Sequence, residues 1–275
     1  MDIFAAYEQD LRLRGATEHS IRGYRRVVCL WQQYLADHGL QADQAKKLDV
    51  QSWLLGTGWA PSTMRDIGLA WLRAAYNYAV DDLEAVERNP CRRVRLPRVE
   101  EKVVRTVPNR VLREIKAGVR DERDMLIFCL FAYTGCRTIE LRRLTWMDVS
   151  LADNLMTVTG KNSKERLVPL HPELRRRMVP LDRGSAYVLP GRNGGMVTTG
   201  GLHYATTRIW GGWAVRNHDL RRTVASSLRA NKVDPVVRDA LLGWSRGDIF
   251  SRHYSAVSTK ELQEAILRLY ADDPV

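Results

Sequence analysis

No apolar run in the 275-residue chain approaches the roughly 20 residues needed to span a bilayer, so no membrane-crossing helix is expected. The N-terminus, Met1-Asp2-Ile3-Phe4, lacks the basic and then apolar layout of a signal peptide, which points to a soluble, cytoplasmic protein. Cysteine is scarce. Cys29, Cys91, Cys129 and Cys136 show no pair at metal-ligand spacing and are expected to be buried thiols that stay reduced. There is no Gly-x-x-x-x-Gly-Lys-Ser/Thr loop to cradle nucleotide phosphates, and no carboxylate cluster spaced to hold a metal, so no cofactor and no metal is expected. Asp121, Glu122 and Asp124 read instead as the charged start of a helix. Internal repeats and low-complexity segments are absent as well.

Positive charge is abundant, at +11 with a pI near 9.7, and a basic surface attracts polyanions by releasing their counterions. The excess is uneven: Met1 to Arg98 holds 14 cations against 12 anions, and Val99 onward holds 29 against 20. Of the 43 cations, 35 are arginine, the residue suited to bidentate phosphate contacts.

Periodicity predicts two regions. The first hundred residues read as helices; Ile21, Tyr24, Val28, Trp31 and Leu35 form one apolar stripe that Gly39 ends. A second helix starts near Pro61-Ser62-Thr63, with Met64, Ile67, Trp71, Ala75 and Tyr78 on its buried face. Asn89-Pro90 stops helical structure, and Arg88, Arg92, Arg93, Arg95 and Arg98, interleaved with prolines, form a basic extended connector suited to lie along phosphates. Beyond it, Met125 to Tyr133 is apolar throughout, a helix buried on all sides that Thr134-Gly135 closes. Met147 to Leu170 switches to strand chemistry with two turn-forming interruptions, predicting a small antiparallel meander. Helices resume near His203, Leu220, Pro235 and Thr259. The fold class expected is mainly α with a small antiparallel β-sheet, divided into a helical domain over 1–88, a linker over 89–108 and a mixed α+β domain over 109–275.

Four separated fragments carry the chemistry. Arg137 stands in Thr134-Gly135-Cys136-Arg137-Thr138-Ile139-Glu140-Leu141, where Glu140, three residues on, can buttress its guanidinium. Lys161 follows a strand in Gly160-Lys161-Asn162-Ser163-Lys164-Glu165-Arg166; a mobile ammonium there can protonate a leaving oxygen, and Lys164 competes for that role. His218 and Arg221, one helical turn apart, project from one face and pair a neutral-pH proton acceptor with a phosphate grip. Trp244 follows Leu242-Gly243 with one indole N–H to donate, and Tyr254 supplies a phenol of ordinary pKa near 10 that needs a base and cations around it. Tyr270 is the fallback phenol. Together these groups can hold, cleave and reseal a phosphodiester.

In order and spacing the fragments resemble the tyrosine recombinases of the phage integrase family, over nearly the whole chain. Arg137 matches the arginine of a Thr-Gly-x-Arg-x-x-Glu-Leu segment. The resemblance implies a core-DNA-binding domain followed by a catalytic domain, and attack of Tyr254 on DNA to give a 3′-phosphotyrosyl bond and then a Holliday junction. It also implies duplex DNA at core recombination sites as partner, a homotetramer on synapsed DNA in a bacterial host, room for an accessory directionality factor, and a terminal helix from about Ser258 that docks into a neighbouring protomer. Departures are visible: Arg222 stands where the family often has histidine, Trp244 where many members have histidine, and Trp244 to Tyr254 is a step of 10 where 9 is usual. A phage or mobile-element integrase is the reading favoured, with a chromosome dimer-resolving recombinase, a nicking topoisomerase and an inactive DNA-binding relative as alternatives.

Overall fold

Asp2 and Thr17 open the first two helices by the same device, a side-chain oxygen accepting backbone N–H groups of the first turn. In the computed structural model, which describes residues 2–100, 103–160, 163–181, 184–244 and 257–275, the chain forms two compact units, Met1–Lys102 and Val103–Val275. The first contains α1 (Ile3–Leu13), α2 (Glu18–Asp37), α3 (Lys47–Gly56) and α4, which runs through Pro61–Thr63, a π-helical turn at Met64–Leu69, and Ala70–Asp81. All five stripe residues of α2 are buried, and Gly39, at φ 64°, leaves the helix in the left-handed region. Around Trp31 the core is aromatic: its indole N–H donates to the Tyr76 hydroxyl at 3.1 Å, and Trp53 meets it edge-on.

The face expected for α4 is corrected. Met64 and Ala75 are buried, but Ile67 is 44% exposed, and Gly68, Leu69, Leu72, Tyr76 and Ala79 fill the core. The π turn inserts one residue per turn and rotates everything after it. Gly68 makes the turn possible, because a Cβ there would come within 2.8 Å of both Leu54 and Trp59. The helix also ends at Asp81, well before Asn89-Pro90. Asn89 is instead a buried clip, donating to the Arg73 carbonyl and the Asn77 side chain while accepting from the Cys91 N–H. Cys29 corrects the cysteine reading: it is exposed, whereas Cys91, Cys129 and Cys136 are buried.

The second unit is built on α6 (Glu122–Thr134), every residue of which from Asp124 onward is buried. Its neighbours among the described residues are α5 (Asn109–Gly118), α8 (Pro172–Met178), α9 (Thr199–Trp210) and α10 (Asn217–Ala230). Asp121 caps α6, and Asp124 pairs with Arg208, so the acidic trio does open a helix. Beside this core, β1 (Val149–Ser150), β2 (Leu155–Thr159) and β3 (Glu165–Pro169) make an antiparallel sheet in the order β1-β2-β3, with Val158 opposite Arg166. The short α7 (Thr138–Arg143) follows α6, and α11 (Pro235–Leu242) and α12 (Thr259–Leu267) complete the unit.

The helix expected to enter a neighbouring protomer packs, in this single chain, on its own unit. Leu262, Ala265 and Ile266 of α12 are buried, and Arg113 bonds Asp273 and the Pro274 carbonyl beyond it. No helix among the described residues is long and apolar enough to cross a membrane.

Candidate active site

Two glycines at helix ends shape the site. Gly135 closes α6 and Gly243 closes α11, both with φ 62°, the conformation glycine adopts without strain. A Cβ on Gly135 would press to 2.9 Å from Leu242, and one on Gly243 to 3.0 Å from Arg166, so the backbone there lies directly against the site's own side chains.

Between those turns lies a buried ionic cluster. Glu140 is 1% exposed at its side chain; it accepts the Arg137 N–H at 2.7 Å and the Arg137 guanidinium at 2.8 Å. Arg166, from β3, binds both oxygens of the same carboxylate at 3.1 and 2.9 Å and sends its Nε–H to the Leu241 carbonyl at 2.9 Å. Arg221, on α10, donates to the Gly135 carbonyl at 2.8 Å and to the Leu242 carbonyl. Three guanidiniums thus surround one carboxylate, leaving an uncompensated positive centre. Arg137, at 39% side-chain exposure, is the member that faces outward, and among the described residues its Nε and Nη2 have no protein acceptor.

The charges register on one another. Burial alone would raise the Glu140 pKa, but Arg166 and the Arg137 N–H outweigh it and hold the carboxyl below its ordinary value. Arg221 is pushed down to about 10, by burial first and by the Arg137 charge next. His218 is exposed, and its pKa is lowered from the usual 6.5 by burial of part of the ring and then by Arg222, Arg221 and, further down, Arg137. A neutral imidazole beside cations can accept a proton at pH 7. Burial raises the Cys136 thiol, which keeps it protonated and inert.

Arg137, Glu140, His218 and Arg221, far apart in sequence, therefore lie within one electrostatic neighbourhood. Trp244 joins them: 42% exposed, it has the Arg221 guanidinium carbon 5.7 Å and that of Arg238 5.9 Å from its ring. Lys161 and Tyr254 lie outside the described residues. Lys164 is exposed in the hairpin, and Arg92, Arg93 and Arg95 are exposed with no ion-pair partner among the described residues. Arg222 pairs with Asp219 at 3.5 Å. Tyr270 is buried with its hydroxyl bonded to the Ala132 carbonyl, so it cannot act as the fallback phenol in this conformation. Arg166 is the member of the cluster that sequence reasoning left as an ordinary strand residue. The available signal was parity, since Arg166 shares the strand face of Val168, which is buried.

Comparison with known proteins gives consistent matches. The family model for the phage integrase family matches residues 105–261, and that for the phage integrase N-terminal SAM-like domain matches residues 4–82. Tyrosine recombinase XerD of Haemophilus influenzae is 29% identical over 84% of this chain and 84% of its own. Tyrosine recombinase XerC of Staphylococcus aureus is 24% identical over 94% and 92%. A tyrosine recombinase of Pseudothermotoga lettingae, 22% identical, is matched over 61% of this chain and 60% of its own. Among solved structures, the Tn1549 transposon integrase in complex with transposon right end DNA shares the fold at TM-score 0.71, with 18% identity over 98% of this chain and all of that one. A lambda integrase dimer bound to a COC′ core site does so at TM-score 0.68, with 16% identity over 94% and 98%.

Proposed function

The chain belongs to the phage integrase family, and on that premise we propose that it is a site-specific recombinase that cuts and rejoins duplex DNA with Tyr254 as nucleophile, the integrase of a phage or mobile element. The observation that carries the reading is the outward-facing Arg137 in a cluster with more guanidiniums than carboxylates, beside the neutral His218.

The chemistry follows from what each group can do. Arg137 and Arg221 concentrate positive charge where the non-bridging oxygens of a scissile phosphate gain charge in the pentacoordinate transition state. His218 takes the phenolic proton as the Tyr254 oxygen attacks phosphorus; the bond from phosphorus to the 5′ oxygen breaks, and Lys161 protonates that leaving oxygen. Trp244 donates its indole N–H to the phosphate. The 3′ phosphate remains on Tyr254, and the 5′ hydroxyl of a partner strand displaces the phenol to reseal the backbone. The energy of the broken bond is retained in the phosphotyrosyl link, so the exchange needs no nucleotide. Arg92, Arg93, Arg95 and Lys164 contact phosphates outside the scissile step, four protomers assemble on two synapsed sites, and α12 leaves its own unit for a neighbour's during that assembly.

The test is incubation with a nicked suicide substrate that loses its 5′ hydroxyl on cleavage, followed by a denaturing gel. Wild-type protein gives a covalent adduct, and Tyr254→Phe gives none while still binding DNA. An adduct that survives the substitution rules out Tyr254.

A further inference from the structure

Arg166, on β3, ties the segment that carries Arg137 and Glu140 to the end of α11. Its Nη1 and Nη2 reach both Glu140 oxygens, its Nε–H reaches the Leu241 carbonyl at the last turn of α11, and Nη2 stands 3.5 Å from the Cys136 sulfur in the turn before α7. Its side chain is 10% exposed and that of Glu140 is 1% exposed. Glu140 in turn fixes Arg137 by two bonds, one to the backbone and one to the guanidinium. The chain of contacts runs from the hairpin strand through Arg166 and Glu140 to Arg137, and sideways from Arg166 to the turn that presents Trp244.

We propose that Arg166 is a positioning residue for DNA cleavage: it holds Glu140 so that the Arg137 guanidinium is aimed at the phosphate, and it holds the end of α11 so that Trp244 is set beside the same phosphate. This rests on the recombinase reading above, and deepens it by one residue that does not touch DNA. A planar fork is required. The Leu241 carbonyl and the two Glu140 oxygens lie in different directions from one side chain, which five donors fixed in a plane can serve and a single ammonium cannot. Without Arg166 the Glu140 carboxylate would take its missing hydrogen bonds from Arg137, drawing that guanidinium inward and lowering the positive charge available to the transition state.

The experiment measures single-turnover cleavage at saturating enzyme for Arg166→Lys on two suicide substrates, one with the ordinary phosphate and one with a neutral methylphosphonate at the scissile position. Loss of aim by Arg137 predicts a slowing of roughly 30-fold or more on phosphate with DNA affinity changed less than about 3-fold, narrowing to under about 5-fold on methylphosphonate, where there is less charge to stabilise. Equal slowing on both substrates, or a wild-type rate, overturns the proposal. Because Arg166→Lys strains a buried pair, the double variant Glu140→Gln/Arg166→Met, which removes both charges, is carried in parallel. It is expected to unfold in urea near the wild-type midpoint and still to cleave slowly. Wild-type cleavage by the double variant, or failure of both variants to fold, equally overturns a positioning role. Arg137→Lys is the reference: if it cleaves at the wild-type rate, the site reading itself falls, whereas a slow Arg137→Lys beside a fast Arg166→Lys sinks only the role given to Arg166.

Discussion

His218 is the residue whose chemistry pH exposes most directly. Its pKa lies below 6.5 because part of the ring is buried and because Arg222, Arg221 and Arg137 repel a second positive charge. In the role proposed for it, His218 must be neutral to accept the Tyr254 proton, so cleavage is expected to hold steady through pH 7 and to fall only as pH drops below 6.5. A pH profile of single-turnover cleavage checks this; an acid limb centred above 6.5 would contradict it. Gly135 makes a separate prediction about stability. Its φ of 62° and the 2.9 Å approach of a Cβ to Leu242 together predict that Gly135→Ala costs about 1–3 kcal/mol, measurable by urea unfolding. The same substitution disturbs the carbonyl that Arg221 holds, so cleavage should fall further than stability alone explains.

At the scale of elements, α6 carries the second unit. Phe128 is fully buried in its middle, and Phe128→Ala is expected to destabilise this unit by about 3–5 kcal/mol in thermal or urea unfolding. Its C-terminal end also meets a half-buried histidine. His171 caps α8, accepting the Glu173 N–H at 3.2 Å, and stacks on Tyr133 with ring centroids 4.3 Å apart. Burial lowers its pKa to about 4, so stability present above pH 6.5 is lost as pH falls from there towards 4, where the unfolded chain binds the proton and the folded one does not. His171→Asn should flatten that acid loss in a pH series of unfolding midpoints. Much of this architecture was legible in the sequence: the α2 stripe, the unbroken apolar run Met125 to Tyr133 within α6 and the three-strand meander are direct readings of hydrophobic pattern. What escaped had a physical reason. The π turn of α4 leaves no mark on spacing counted at 3.6 residues, so Ile67 was assigned inward when Gly68 and Leu69 take that place. Arg166 reads from sequence only as a strand residue, because nothing in its spacing shows that β3 turns it toward Glu140, which is legible only as a partner for Arg137. The exposed Cys29 sits between buried Val28 and the outer face of α2, a case where cysteine's usual preference for burial misleads.

Across the whole molecule, the charge excess should govern DNA binding. If Arg92, Arg93 and Arg95 each neutralise a phosphate, replacing all three with alanine should lower the slope of log affinity against log salt by about 2–3, with sequence preference unchanged. A slope unaltered by the triple substitution would remove the connector from the interface. The likeness to integrases over nearly the whole chain and the cationic cluster in the second unit support one account, in which distant segments hold a phosphate for attack by a phenol. That account is tested most directly by trapping the protein on a suicide substrate, trimming the DNA with nuclease, digesting with protease and locating the residual nucleotide by tandem mass spectrometry. It predicts a nucleotide esterified through its 3′ phosphate to Tyr254; a nucleotide on any other residue, or attached through a 5′ phosphate, would contradict it.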